Sequence, residues 1–145
     1  MKSESDCRIH VSLKVKGNFG DIVLYNIDKR KWIRIGNIVF MVYDEQITAT
    51  DVDVIENYQK LGFGKLMIEV LQRYAQEHML SVYLYSLRDA IEFYKKCGFQ
   101  RVSRFRRRGC KLILTNVEKG KDGKQVSYGD MVWVPKGLKC ARVAV

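Results

Sequence analysis

Between Asp51 and Leu66 the chain reads D-V-D-V-I-E-N-Y-Q-K-L-G-F-G-K-L, a β-branched stretch that passes through two closely spaced glycines into a helical pattern. A strand entering a helix through a glycine loop suits anion binding. The first N–H groups of a helix lack partners inside it and lie at the positive end of its dipole, and glycine lets them approach oxygen atoms unobstructed. Lys60 and Lys65 flank the loop. Two common nucleotide signatures are incomplete: Met67 stands where G-x-G-x-x-G needs its third glycine, and no Lys-Ser or Lys-Thr follows the glycines. Rossmann-type dinucleotide binding and Walker-type ATP binding are disfavoured, and on spacing alone a plain tight turn stays open.

Metal chemistry has little to build on. Cys7, Cys97, Cys110 and Cys140 are far apart, form no C-x-x-C pair and have only His10 and His78 beside them. No metal is expected, and the thiols read as small buried hydrophobes in a reducing compartment. Asp51, Asp53 and Glu56 are the carboxylates nearest the loop. Strand alternation aims Asp51 and Asp53 to one face.

The elements that must position these residues follow from periodicity. Ile9, Val11, Leu13 and Val15 alternate with polar residues, which predicts a half-buried strand with His10 on its polar face. Further strands are expected at Ile22 to Asn26, Trp32 to Ile35, Ile38 to Tyr43 and Ile47 to Ile55, separated by turn-forming residues. From Gly64 the period becomes helical through Leu66, Met67, Val70, Leu71, Tyr74, Ala75, His78 and Met79, so His78 reads as a packed histidine. Ser81 to Ser86 suits a buried strand. Asp89 to Lys96 predicts a short helix with Ala90, Ile91 and Tyr94 on one stripe, closed by Gly98. Lys111 to Asn116 and Val126 to Val134 read as strands joined by a polar hairpin over Lys119 to Lys124. Strand, helix, strand, helix after a run of strands implies a right-handed parallel crossover added to an antiparallel half: a mixed α/β fold.

Composition is consistent with this. The 145 residues are 47% hydrophobic with one proline, ordinary for one domain over residues 1–145 and against disorder. No apolar run is long enough to span a bilayer, and the opening M-K-S-E-S-D leads into no apolar segment, so no membrane association is expected and the location expected is cytoplasmic. The net charge is +10, and it is concentrated at one end: residues 1–99 carry 14 basic and 13 acidic side chains, residues 100–145 carry 12 and 3.

Gln59-Lys60-Leu61-Gly62-Phe63-Gly64 matches a known signature: Gln or Arg, two residues, Gly, one residue, Gly or Ala. With Val54 and Tyr58 upstream, the long helix, the strand Val82 to Tyr85 and A-I-E-F-Y-K-K-C-G-F from Ala90 to Phe99, the chain resembles the GNAT superfamily of acetyl-CoA-dependent N-acetyltransferases over about residues 47–99. The resemblance implies a mixed, mostly antiparallel twisted sheet with splayed central strands and flanking helices, and direct acetyl transfer from acetyl-CoA to a primary amine. Carried over by position, Val52, Asp53 and Val54 would offer backbone groups to the pantetheine arm. Gln59, Lys60, Leu61, Gly62, Phe63, Gly64 and Lys65 would cradle the pyrophosphate, and Ser86 would lie near the thioester. Tyr94, by position alone a core aromatic, matches the family's frequent general acid, which protonates the departing thiolate. No general base is assigned.

The sequence departs from the family in two places. Leu87 stands where many members have an Asn three residues before the alanine matched by Ala90. The helices that usually follow the first strand are missing, so the N-terminal helices are reduced. The acceptor site is then open, completed by a second subunit in a homodimer, or built from the region between Arg104 and Tyr128. An open site favours a macromolecular acceptor, a protein or an RNA-linked amine. The run from Arg101 to Lys111, with five Arg, one Lys and Phe105, suits nucleic acid or a solvated edge strand that helps bind CoA. The competing function is a degenerate fold acting as a basic nucleic-acid- or protein-binding module.

Overall fold

The computed structural model describes residues 7–43, 45–101, 111–113, 129–138 and 142–144. Strands β1 (Cys7–Lys16), β2 (Phe19–Asp28), β3 (Lys31–Tyr43) and β4 (Gln46–Val54) form an antiparallel meander. A single 3-10 turn (Glu56–Tyr58) and helix α1 (Phe63–His78) then cross to β5 (Ser81–Tyr85), which pairs with β4 in parallel. Helix α2 (Ile91–Lys96) leads to β6 (Gln100–Arg101); β7 (Lys111–Ile113), β8 (Asp130–Trp133) and β9 (Arg142–Ala144) follow. The main sheet runs β1-β2-β3-β4-β5-β8-β6, and β7 pairs with β9 apart from it. This is the mixed, mostly antiparallel sheet with few helices.

One face of the sheet holds the core. Register places Ile22 and Leu24 of β2, Ile38 and Phe40 of β3, Ile47 and Ala49 of β4, and Val82 and Leu84 of β5 side by side. Met67, Ile68, Leu71 and Ala75 of α1 pack on them, and all but Ala49 and Leu84 are fully buried. Ile91 and Tyr94 of α2 close the far end with Phe99 and Met131. Burying such a stripe is worth roughly 2 kcal/mol per large side chain, which fixes α1 on the sheet more firmly than its intrinsic propensity would. Ile68, absent from the sequence-derived stripe, belongs to it.

Several expectations need correction. The segments Trp32 to Ile35 and Ile38 to Tyr43 are one 13-residue strand, because Gly36 continues it rather than breaking it. A Cβ on Gly36 would lie 2.8 Å from the Asp53 carbonyl oxygen and 3.0 Å from Met67 Cε, so glycine is needed there for close approach. β1 is less covered than its alternation predicts: Val11 meets the core, but Ile9 and Leu13 are 42% and 38% exposed. The helices lie over β2 to β5 and leave the edge strand outside. His78 is exposed, with its ring 4.2 Å from that of Tyr74. Among the described residues β7 and β8 do not pair with each other; β8 inserts between β5 and β6. The hairpin over residues 119–124, residues 102–110 of the basic run, and Cys110 and Cys140 lie outside the described residues.

The meander is joined tightly. Gly17, at φ +62°, and Asn18 connect β1 to β2, so strands stand where the family usually has helices. Among the described residues no helix is long and apolar enough to cross a membrane.

Candidate active site

Strands β4 and β5 pair only from Gln46 with Ser81 to Ala49 with Leu84. Beyond that point each follows a different neighbour. β4 stays on β3 through Val52 with Ile38 and Val54 with Gly36. β5 stays on β8 through Tyr85 with Asp130, and the Ser86 N–H donates to the Gly129 carbonyl at 2.5 Å. The strands therefore part, and a cavity of about 310 Å³ opens, lined by Ala49, Thr50, Asp51 and Val52 on one wall and Leu84 to Leu87, Ala90 and Tyr94 on the other.

A β-bulge sets what β4 shows to this cavity. Between Val39 and Phe40 the partner residue jumps from Asp51 to Ala49, leaving Thr50 as the extra residue, with its hydroxyl donating to the Val39 carbonyl at 3.2 Å. The insertion shifts the alternation, so Ile47 and Ala49 are followed on the core face by Val52 and Val54. Asp51 and Asp53 share one face, as strand alternation predicted; both are exposed, but only Asp51 lines the cavity. Nothing in the sequence marks the bulge.

The glycine loop lies where α1 begins. Gly62 is the residue before the helix, at φ +90°, and nothing lies within 4 Å of a Cβ built on it. Glycine is required there by conformation, not by space. Gly64 is the reverse case: a Cβ would meet Phe93 Cζ of α2 at 3.3 Å. That contact sets the start of α1 against the residue next to Tyr94. The first helical hydrogen bond runs from the Leu66 N–H to the Gly62 carbonyl at 3.1 Å, and no side chain caps the N-terminus. The N–H groups of Phe63, Gly64 and Lys65 precede it, with no acidic residue in the first turn. Gln59 reaches back to the strand instead, its exposed amide donating to the Val54 carbonyl at 2.8 Å and tying the loop to the end of β4.

Tyr94 is 7% exposed and lines the cavity, with Phe93 and Phe99 rings 5.0 and 5.6 Å away. No hydrogen bond to another described residue holds its hydroxyl. Burial, and to a lesser degree the Cys97 thiol, pushes its pKa up to about 12. It therefore keeps its proton throughout the neutral range. Ser86 is 3% exposed and lines the same cavity, its hydroxyl donating to the Leu87 carbonyl at 2.7 Å. Leu87, standing in place of the family's usual Asn, is 75% exposed at the cavity wall. Burial also raises the Cys97 thiol, with Lys65 opposing and Glu69 reinforcing the shift.

The acetyltransferase (GNAT) domain family matches residues 21–101, more than half of the chain, and the chain belongs to that family. Solved structures share the fold. The GCN5 structure from Tetrahymena superposes with a TM-score of 0.56 at 21% identity, over 82% of this chain and 69% of that one. The ribosomal-protein-S18-alanine N-acetyltransferase of Escherichia coli gives 0.56 at 18%, over 86% and 75%. The PaiA N-acetyltransferase of Thermoplasma acidophilum, solved in complex with coenzyme A, gives 0.53 at 15%, over 79% and 60%. At these identities the likeness is one of fold. Among curated proteins no sequence matches the chain.

Proposed function

We propose that the protein transfers an acetyl group from acetyl-CoA directly to a primary amine at the cavity between β4 and β5. The observation that carries this is the joint placement of three features at one end of the sheet. These are the opened strands, the uncapped N-terminus of α1 and the protonated hydroxyl of Tyr94 on the cavity wall. The N–H groups of Phe63, Gly64 and Lys65, with the helix dipole behind them, fit a pyrophosphate. The edge of β4 around Val52 and Asp53 fits a pantetheine amide; the Val54 carbonyl already accepts from Gln59. The acceptor amine first loses a proton to solvent and then attacks the thioester carbon, the carbon–sulfur bond breaks, and Tyr94 gives its proton to the departing thiolate; the proton left surplus on the new amide nitrogen passes to solvent and the tyrosine is reprotonated. Asp51, exposed at the mouth of the cavity, is placed to attract a protonated amine.

Among the described residues the meander carries strands where acceptor-covering helices would lie, and an acceptor side left uncovered there suits a macromolecular amine on a protein or RNA. A reading as a binding module without catalysis leaves unexplained why Tyr94 lines the cavity between the parted strands, on the helix whose Phe93 meets the start of α1. Calorimetric titration of acetyl-CoA into the wild type, Gly62→Glu and Tyr94→Phe tests the proposal. Micromolar binding retained in Tyr94→Phe and lost in Gly62→Glu is expected; no binding to the wild type would overturn it.

A further inference from the structure

The near-neutral charge of residues 1–99 conceals a segregation that the fold brings about. Residues 7–43 carry seven basic and two acidic side chains, whereas residues 45–99 carry six and eight. The basic group is the β1-β2-β3 meander. On its face opposite α1, register sets Arg8, Ile27 and Trp32 in one row and His10, Tyr25 and Arg34 in the next. Lys14 and Lys16 continue the same face of β1.

Three rings meet in this block. Trp32 lies 5.0 Å from His10 and 5.4 Å from Tyr25, both edge-on, and His10 lies 6.3 Å from Tyr25. Trp32 is 55% exposed, and Arg8, His10 and Arg34 are exposed around it. β3 pairs with β4 only from Gly36 onward, so this end of the meander projects beyond the rest of the sheet. The β2-β3 turn adds Lys29 and Arg30, at φ +49° and +73°. Consecutive left-handed residues in a two-residue hairpin favour Asn-Gly, and each bulky residue there costs about 1 kcal/mol. The turn carries two cations despite that cost.

We infer that this face of the meander, centred on Trp32 and rimmed by Arg8, Arg34 and the Lys29-Arg30 turn, binds single-stranded nucleic acid. Cations match a phosphate chain, and exposed rings on a sheet face match unpaired bases, which stack on aromatic side chains without regard to sequence. An acidic peptide would satisfy the charges but would leave the ring cluster without a role. Paired bases in a duplex would leave it unused as well. Asp51 and Asp53 lie on the same face of the sheet, on β4 next to β3, and bias a polyanion toward the β1 side. The residues of this surface are distinct in sequence from the basic run after Arg101, and the inference does not rest on acetyl transfer.

The probe is a fluorescein-labelled 12-nucleotide uridine strand, titrated without acetyl-CoA. Trp133→Phe leaves Trp32 as the chain's sole tryptophan, and binding is expected to quench its emission. Trp32→Ala should weaken binding about tenfold. Arg8→Glu with Arg34→Glu should weaken it at least as much and flatten its dependence on salt. Circular dichroism and acetyl-CoA affinity should be unchanged in both. Absence of quenching, or wild-type affinity in both variants, would overturn the inference and direct attention to the run after Arg101. Equal displacement of the strand by polyglutamate, insensitive to Trp32→Ala, would overturn it in favour of an acidic peptide.

Discussion

The N–H of Ser86 donates to the carbonyl of Gly129, and this bond carries the end of β5 away from β4 and along β8. The cavity lies where β5 keeps its partner on the β8 edge after its pairing with β4 on the other edge has ended. Gly129 sits at φ +105°, and a Cβ there would lie 2.6 Å from the Tyr85 ring. Gly129→Ala should therefore cost about 1–3 kcal/mol through strain and overlap, and should also disturb the cavity wall. A lowered melting temperature together with weakened acetyl-CoA binding is expected; a loss of stability alone would mean the cavity survives the change.

Tyr94→Phe removes the hydroxyl and keeps the ring that packs on Phe93 and Phe99. Acetyl transfer should fall by about two to four orders of magnitude with acetyl-CoA affinity retained. With its pKa raised to about 12, Tyr94 stays protonated well above neutrality. For a lysine-like acceptor, kcat/KM should rise with pH as the amine deprotonates, with no fall from Tyr94 below about pH 11. A fall near pH 8 to 9 would assign the acid to another group. The same shift makes stability a function of pH: the folded state holds the proton more tightly, so the contribution is complete below pH 10 and is lost as pH rises toward 12. Alkaline denaturation of Tyr94→Phe should lack that component.

The two loop glycines should fail differently. At Gly62 the space is open but φ is positive, so Gly62→Asn should be milder than Gly62→Ala, whose cost is about 1–2 kcal/mol. At Gly64 the obstacle is Phe93, so damage should grow with side-chain volume and be relieved by Phe93→Leu. Melting temperatures and acetyl-CoA titrations of Gly62→Asn, Gly62→Ala, Gly64→Ala, Gly64→Val and Gly64→Val with Phe93→Leu check the contrast.

Thr50 should matter more for the cavity than for stability. Thr50→Val loses one exposed hydrogen bond to Val39, worth about 1 kcal/mol. Deleting Thr50 joins Ala49 to Asp51 opposite Phe40 and Val39, so the register closes without a bulge, Val52 and Val54 stay on the core face, and the local bend of β4 is lost. Chemical denaturation is expected to show a small loss for the first variant and a retained cooperative transition for the second, and acetyl-CoA titration a weakened affinity for the deletion alone.

Much of the fold could be read from local patterns. The α1 stripe, the β5 strand, the short α2 and the Gln59 to Gly64 loop all lie within segments whose period or turn residues are decided by near neighbours. The break expected at Gly36 was misplaced for the same reason. A glycine in a strand reads as a stop locally, whereas Asp53 and Met67, distant in sequence, require it. His78 likewise fits the helical period, but the stripe it continues runs off the end of the sheet, and it is exposed.

Of the candidate site, the loop and Tyr94 were legible, and the geometry that could make them useful was not. Asp51, Asp53 and Glu56 were equivalent in sequence; only Asp51 reaches the cavity, because the bulge at Thr50 and the departure of β5 place it there. The basic surface around Trp32 was hidden within residues 1–99, whose charges nearly cancel. Sequence determined which segments are strands, which are helices and where the backbone must turn, since propensity, period and turn chemistry act over a few residues. Tertiary structure alone decided where β4 and β5 part, which carboxylate meets the cavity and which cations gather on one face. Those outcomes depend on pairing between residues far apart in the chain, where burial and register outweigh local preference.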